Sequence, residues 1–303
     1  MFMSVPRVRD CRRCGLVKRR VSSFGFHDKH GSVTSQKLSR RVGLARALSK
    51  LGYCSRSDAF DLIHEGRVRL NGATRRDHEA PVRLEKDRIE VDGRPVPTAT
   101  KVYLILNKPR GTVTTTSDEK GRQTVYAFLG SEVVKGDLPW VAPVGRLDKA
   151  SEGLLLLTND SEWAARVLAP ATCLDKTYHV QINKVADAAL LESLASGVKT
   201  KDGGLLRPRR VLILRRGDRN SWLEMVLDEG RNRHIRRMLE QLDVEVLRLV
   251  RVAIGPLVLG QLRKGGVRSL TVQEKQAIDQ AMQNRVSRRL SLARPVRAGG
   301  FYS

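Results

Sequence analysis

Apolar residues first fall into a helical rhythm at Leu44, Ala47, Leu48 and Leu51, which predicts a short helix with one buried stripe. Gly52 can stop that helix, and Ser55 can cap a second one whose Ala59, Leu62 and Ile63 face inward. The period then changes to two over residues 66–72, a strand that ends on Asn71-Gly72, a strong hairpin signal. Residues 92–100 carry two prolines and no helical period, so they read as a linker. A buried strand is predicted over residues 102–106, followed by the sharp polar turn Asn107-Lys108-Pro109-Arg110-Gly111.

Further on, Leu154-Leu155-Leu156-Leu157 has too few polar atoms to be anything but buried. Asn159 or Asp160 can cap a helix through Trp163, Ala164, Val167 and Leu168, which Pro170 ends. Strands are predicted at residues 176–182, 211–214, 222–227, 244–250 and 255–259. Between the strands at 222–227 and 244–250 lies a helix with Asn232 as its cap and Ile235, Met238, Leu239 and Leu242 on one face, which turns Arg233, Arg236 and Arg237 the other way. Strands outnumber helices and no βα repeat is present. The predicted class is α+β, with a mixed, mainly antiparallel sheet behind a small helix-helix-strand domain.

Length and charge add to this picture. A chain of 303 residues allows two or three compact units. They are placed at 38–96 and 101–283, between a basic arm at 1–37 and a basic tail at 284–303 that holds five arginines and no acid. The net charge of +24 makes a polyanion the expected partner. No run of about 18 apolar residues and no basic amphipathic stretch is found, so a membrane is not expected. Cys11 and Cys14 have metal-like spacing, but only His27 and His30 of the arm stand near enough to complete a set, and no metal is expected. Cys54 and Cys173 read as lone thiols suited to a reducing cytosol. No glycine-rich phosphate loop or nucleotide fingerprint appears, and no cofactor is expected.

Candidate chemistry centres on Val144-Gly145-Arg146-Leu147-Asp148-Lys149-Ala150-Ser151-Glu152-Gly153, a tight polar loop that runs into the leucine strand. Gly145 and Gly153 bracket it, so Asp148 is held on a rigid support rather than on a free loop. In the small domain, Arg41, Arg46, Lys50, Arg56, Arg67 and Arg69 fall off the apolar stripes and are candidates for RNA phosphate contact.

The Asp148 loop resembles the active-site signature of the RNA pseudouridine synthases, in particular the family named after ribosomal small subunit pseudouridine synthase A. Asn107-Lys108-Pro109-Arg110-Gly111 is similar to the first conserved strand and turn of that catalytic domain, and Lys176-Thr177-Tyr178-His179-Val180 to its second motif. Asp228 through Leu239 is similar to the third motif, with His234 where the family usually has Gln. The run from Arg41 to Gly72 resembles the RNA-binding module first seen in ribosomal protein four of the small subunit.

The resemblance implies isomerisation of uridine to pseudouridine in ribosomal RNA or a ribosomal subunit precursor, with a lean to the large subunit. It implies Asp148 as nucleophile in an enclosed pocket, Arg236 paired with it, Tyr178 against the target base and Leu249 lining the pocket. Arg146, Arg233 and Arg237 are the further substrate-binding candidates. A cytoplasmic monomer is the expected form. The alternative reading is a non-catalytic RNA-binding or ribosome-assembly protein that kept the fold.

Overall fold

The computed structural model describes residues 41–292, apart from 117, 119, 131–137, 173, 201–202 and 229–232, and only the backbone of 288–292. The basic arm, Cys11, Cys14, His27, His30, Cys173, Asn232 and the tail beyond Leu292 lie outside the described residues.

In the small domain, α1 (Leu44–Lys50) and α2 (Arg56–His64) close over strands β1 (Val68–Leu70), β2 (Ala73–Thr74), β3 (Ile89–Val91) and β4 (Arg94–Pro95), which pair in the order β2-β1-β3-β4. Leu44, Ala47, Leu48, Ala59 and Ile63 pack with Val68, Leu70, Ile89 and Val91 into one core. The expected cap is present, with the Ser55 hydroxyl accepting from the Asp58 amide at 3.0 Å. Asn71 (φ 53°) and Gly72 (φ 82°) make the expected hairpin turn.

The linker reading needs a correction. Asp92 (φ 51°) and Gly93 (φ 75°) make a second turn of the same kind, which folds Arg94 and Pro95 back beside Val91 and Glu90. Pro95 is tolerated because β4 is an edge strand and needs no donor there.

The larger domain is built on a sheet that contains, among the described residues, nine strands. Its main path uses β5 (Tyr103–Lys108), β6 (Glu152–Thr158), β7 (Lys176–Ile182), β8 (Arg210–Arg216), β9 (Ser221–Leu227), β10 (Val246–Ile254) and β11 (Val267–Ser269) in the order β8-β9-β7-β10-β6-β5-β11. Along this path only β10 and β6 run parallel; the other pairs are antiparallel. On the front face, α4 (Ala188–Ser196) and α5 (His234–Glu240) cover the β7–β10 half, with Leu190, Leu194, Ile235, Met238 and Leu239 against Val180, Leu223 and Leu249. On the back face, α3 (Ser161–Leu168) and α6 (Val272–Leu292) cover the β5–β6 half through Trp163, Val167, Ile278 and Met282.

The helices α4 and α6 carry no signal that the sequence reading used. Asp187 caps α4 by accepting from the Leu190 amide at 2.8 Å. The tail boundary at 284 is also corrected, since α6 continues to Leu292. No proline interrupts it before that point, and Asp279 anchors it by accepting from the Trp163 indole at 2.8 Å. The strand expected from 244 begins at Val246 instead: Asp243 is left-handed (φ 53°), and the Val244 amide is used to close α5 on Leu239 at 3.0 Å. The small domain rests on the larger one where the Trp140 amide donates to Gly52 at 2.9 Å and the Ala99 amide to Leu51 at 3.1 Å.

Candidate active site

The loop ahead of β6 is fixed by its carbonyls. Leu147 accepts from the Thr114 hydroxyl at 2.8 Å, and Lys149 accepts from the Gly111 amide at 2.8 Å. Ala150 accepts from Arg236 at 3.1 Å. Lys108 supplies the rest, donating to Ser151 at 2.9 Å, to Asp148 at 3.2 Å and to its neighbour Pro109 at 3.1 Å. Each backbone carbonyl from Leu147 to Ser151 thus has a donor. The Asp148 side chain, by contrast, is exposed, and among the described residues no hydrogen bond ties down its carboxylate. A held backbone with an unused carboxylate is the arrangement a nucleophile needs.

Lys108 is fully buried beneath this loop. Burial pulls its ammonium down from the ordinary 10.5 to about 8, against the opposing pull of Asp148 and Glu152, and Arg251 adds to the lowering. The loop holds a second acid, Glu152, which is almost entirely buried. Burial alone would raise its carboxyl, but Arg248 at 2.9 Å and Lys264 at 3.0 Å hold it below the usual range. Glu152 is therefore a buried, paired anion, whereas Asp148 is exposed.

Strand register brings the other residues to this loop. Tyr178 of β7 stands directly opposite Arg251 of β10, and Arg251 stands opposite Gly153 of β6, so the three form one row that ends beside the Asp148 loop. The close approach requires glycine: a Cβ at position 153 would lie 2.3 Å from the Arg251 carbonyl oxygen, and φ is +104°. Tyr178 packs against two core clusters, one that contains Leu249 and one that contains Leu147. It therefore sits at the seam between them. Arg251 is buried there as well, donating to the Leu154 carbonyl at 2.7 Å.

Two expectations are changed. The ion pair between Asp148 and Arg236 is replaced by hydrogen bonds from Arg236 to Ala150 at 3.1 Å and Val246 at 3.2 Å. Arg236 thus ties α5's strand partner to the loop, and it feels the Asp148 charge without gripping the carboxylate. Burial first, then the like charge of Arg233, lowers the Arg236 proton affinity, with a smaller contribution from Arg110. The expected enclosure of Asp148 is also not found: its side chain is exposed, while Lys108 beneath the loop is buried.

Arg146 and Arg233 are exposed, Arg237 is half-buried and Leu249 is buried. Arg233 occupies the helix start in a left-handed conformation (φ 46°). In the small domain Arg41, Arg46, Arg56 and Arg69 are exposed, whereas Lys50 pairs with Glu162 at 3.3 Å and Arg67 with Asp92 at 2.7 Å. Lys108, Arg110 and Arg251 were not singled out from the sequence as site residues. For Lys108 the signal available was a cationic side chain at the end of a mostly apolar strand. Among the described residues, no group of three or more His, Cys, Asp or Glu could hold a metal ion, and no helix is long and apolar enough to cross a membrane.

The family model for RNA pseudouridylate synthase matches residues 102–241, and that for the S4 domain matches residues 42–89. An uncharacterized RNA pseudouridine synthase of Aquifex aeolicus (strain VF5) is 39% identical over 77% of this chain and 92% of its own length. The chain belongs to the RNA pseudouridine synthase family. Within the family, the ribosomal large subunit pseudouridine synthase B of Bacillus subtilis (strain 168) is 35% identical over 76% of this chain and 93% of its own length. A crystal structure of a pseudouridylate synthase superposes with a TM-score of 0.55 at 27% identity, covering 78% of this chain and 99% of that one. As a pseudouridine synthase the chain is an isomerase, with an S4 domain joined to its catalytic sheet.

Proposed function

We propose that this synthase converts a specific uridine of large-subunit ribosomal RNA to pseudouridine, with Asp148 as the nucleophile. The observation that carries the reading is the Asp148 loop, whose carbonyls are all occupied while its carboxylate is exposed. The large-subunit substrate is supported by the Bacillus subtilis relative's name.

The reaction breaks the bond between uracil N1 and the ribose, turns the base and rejoins it through C5; C5 gives up its proton and N1 takes one up, so that product and substrate are isomers. No redox change is involved. Asp148 bonds covalently to the substrate and is released when the new carbon–carbon bond is complete. Tyr178, at the seam of the two clusters, supports the base while it turns and helps remove the C5 proton. Leu249 adds an apolar wall, while Arg146, Arg233 and Arg237 face the phosphates around the target. The uridine must be turned out of its stack to reach Asp148, and the cationic rim offsets part of that unstacking cost.

The test is pseudouridine mapping across ribosomal RNA from cells with the gene, without it, and complemented by Asp148→Asn. One site lost on deletion and restored only by the wild-type gene is the expected result. Restoration by Asp148→Asn would overturn the nucleophile, and no lost site in ribosomal RNA would overturn the substrate.

A further inference from the structure

The front face of the β7–β10 half is covered by α4 and α5, whereas α3 and α6 lie over the other half of the back face. Residues of alternate parity on these strands therefore point to a back face that these helices do not cover. Cross-strand register lines up Arg215 of β8, Trp222 of β9, Gln181 of β7 and Arg248 of β10 in one direct row there. Four strands at the usual spacing make this row about 14 Å long.

The guanidinium groups of Arg215 and Arg248 each lie 5.5 Å from the Trp222 ring centroid, one from either side of β9 in strand order. Arg215 is exposed, the Arg248 side chain is 38% exposed, and Trp222 and Gln181 are half-buried. The Trp222 indole nitrogen has no acceptor among the described residues. The neighbouring carboxylates of this face are matched: Glu224 by Arg210 at 2.5 Å and Glu152 by Arg248 and Lys264. Through Glu152 the row reaches the first residue of β6, four positions after Asp148.

We propose that this row is a second RNA surface, on which a single-stranded segment of the substrate lies across the sheet with a base against Trp222 and a phosphate on Arg215. Charge selects the partner, since cations interleaved with an aromatic on an open sheet suit a polyanion with flat bases. The surface rests on the RNA substrate proposed above, but it asks nothing of the catalytic loop.

The probe is a fluorescein-labelled single-stranded RNA of about 12 nucleotides, within the usual site sizes for such surfaces. Full-length wild type, Trp222→Leu and Arg215→Ala are compared. Trp222→Leu is expected to weaken binding about tenfold with the salt dependence unchanged, because it removes stacking and no charge. Arg215→Ala is expected to weaken binding and to lower the log–log salt slope by about 0.7, one phosphate contact on a single strand. Wild-type tryptophan fluorescence should quench on binding, and Trp222→Leu should lose that quenching. Because Arg215 is exposed, its variant tests the row even if Trp222→Leu perturbs the sheet. Affinity and salt slope equal to wild type in both variants, or quenching that persists without Trp222, would overturn the proposal. Normal turnover on ribosomal RNA with Trp222-independent binding defeats this surface alone. Trp222-dependent binding without turnover on any ribosomal RNA defeats the proposed function and leaves the surface standing.

Discussion

Lys108 donates to the carbonyl of Ser151 at 2.9 Å and also to that of Asp148, so one buried ammonium spans the turn that carries the proposed nucleophile. Removing it takes away the loop's central tie while leaving the carboxylate in place. Lys108→Met is expected to lower kcat by about a hundredfold, the cost of a misplacement of about 1 Å. Loss of the hydrogen bonds, partly offset by removal of a desolvated charge, should cost stability on the order of 2 kcal/mol. Single-turnover kinetics and thermal unfolding separate the two; kcat unchanged in a folded variant would refute the loop's dependence on Lys108.

The same residue predicts a pH limit. With its ammonium lowered to about 8, Lys108 loses a donor and its charge as pH rises past that value, and activity should decline on the alkaline side. Stability should not follow. Between about 8 and 10.5 the unfolded chain binds more protons at this lysine than the folded chain does, so its contribution to stability rises with pH. A pH–rate profile beside a pH–stability profile checks the signs, and a parallel fall of both above 8 would contradict this account.

Gly153→Ala places a methyl group 2.3 Å from the Arg251 carbonyl at a φ of +104°. Strain of about 3 kcal/mol is expected, which for a domain of this size lowers Tm by on the order of 10 °C. Activity should fall as well, because the parallel pairing of β6 with β10 sets the end of the Asp148 loop, at Gly153, in one row with Arg251 and Tyr178. A Tm within a degree or two of wild type would show that the strands can separate without cost.

Arg236→Lys keeps the charge but cannot reach both Ala150 and Val246 with a single ammonium. A drop in kcat of roughly 10- to 100-fold is expected, with RNA affinity little changed. If Lys restores full activity, Arg236 acts by charge alone.

On the S4 domain, Arg46→Glu and Arg56→Glu are expected to weaken RNA binding and each to lower the salt slope by about 1. Lys50 and Arg67 already face Glu162 and Asp92, so changing them should do less. Titrations at several salt concentrations decide whether exposed and paired cations differ in this way.

Much of this was written in the chain itself. The helical stripe of Leu44, Ala47, Leu48 and Leu51, the hairpin at Asn71-Gly72 and the leucine strand were legible because local periodicity and turn chemistry act over a few residues. Asp148 stood out through the resemblance of its whole loop to a known signature, since a Gly-Arg-x-Asp turn by itself fits a turn-closing acid equally well. The prolines beside Asp92-Gly93 mask its turn, and the apolar contacts of α6, Ile278 and Met282, are too sparse to mark a stripe. Tertiary structure alone set the different surroundings of the two acids of the loop, burying and pairing Glu152 while leaving Asp148 open. It alone put Lys108 under residues 40 and more positions away and set Tyr178, Arg251 and Gly153 in one row. Such facts depend on strand register and on contacts between distant segments, which no local pattern encodes.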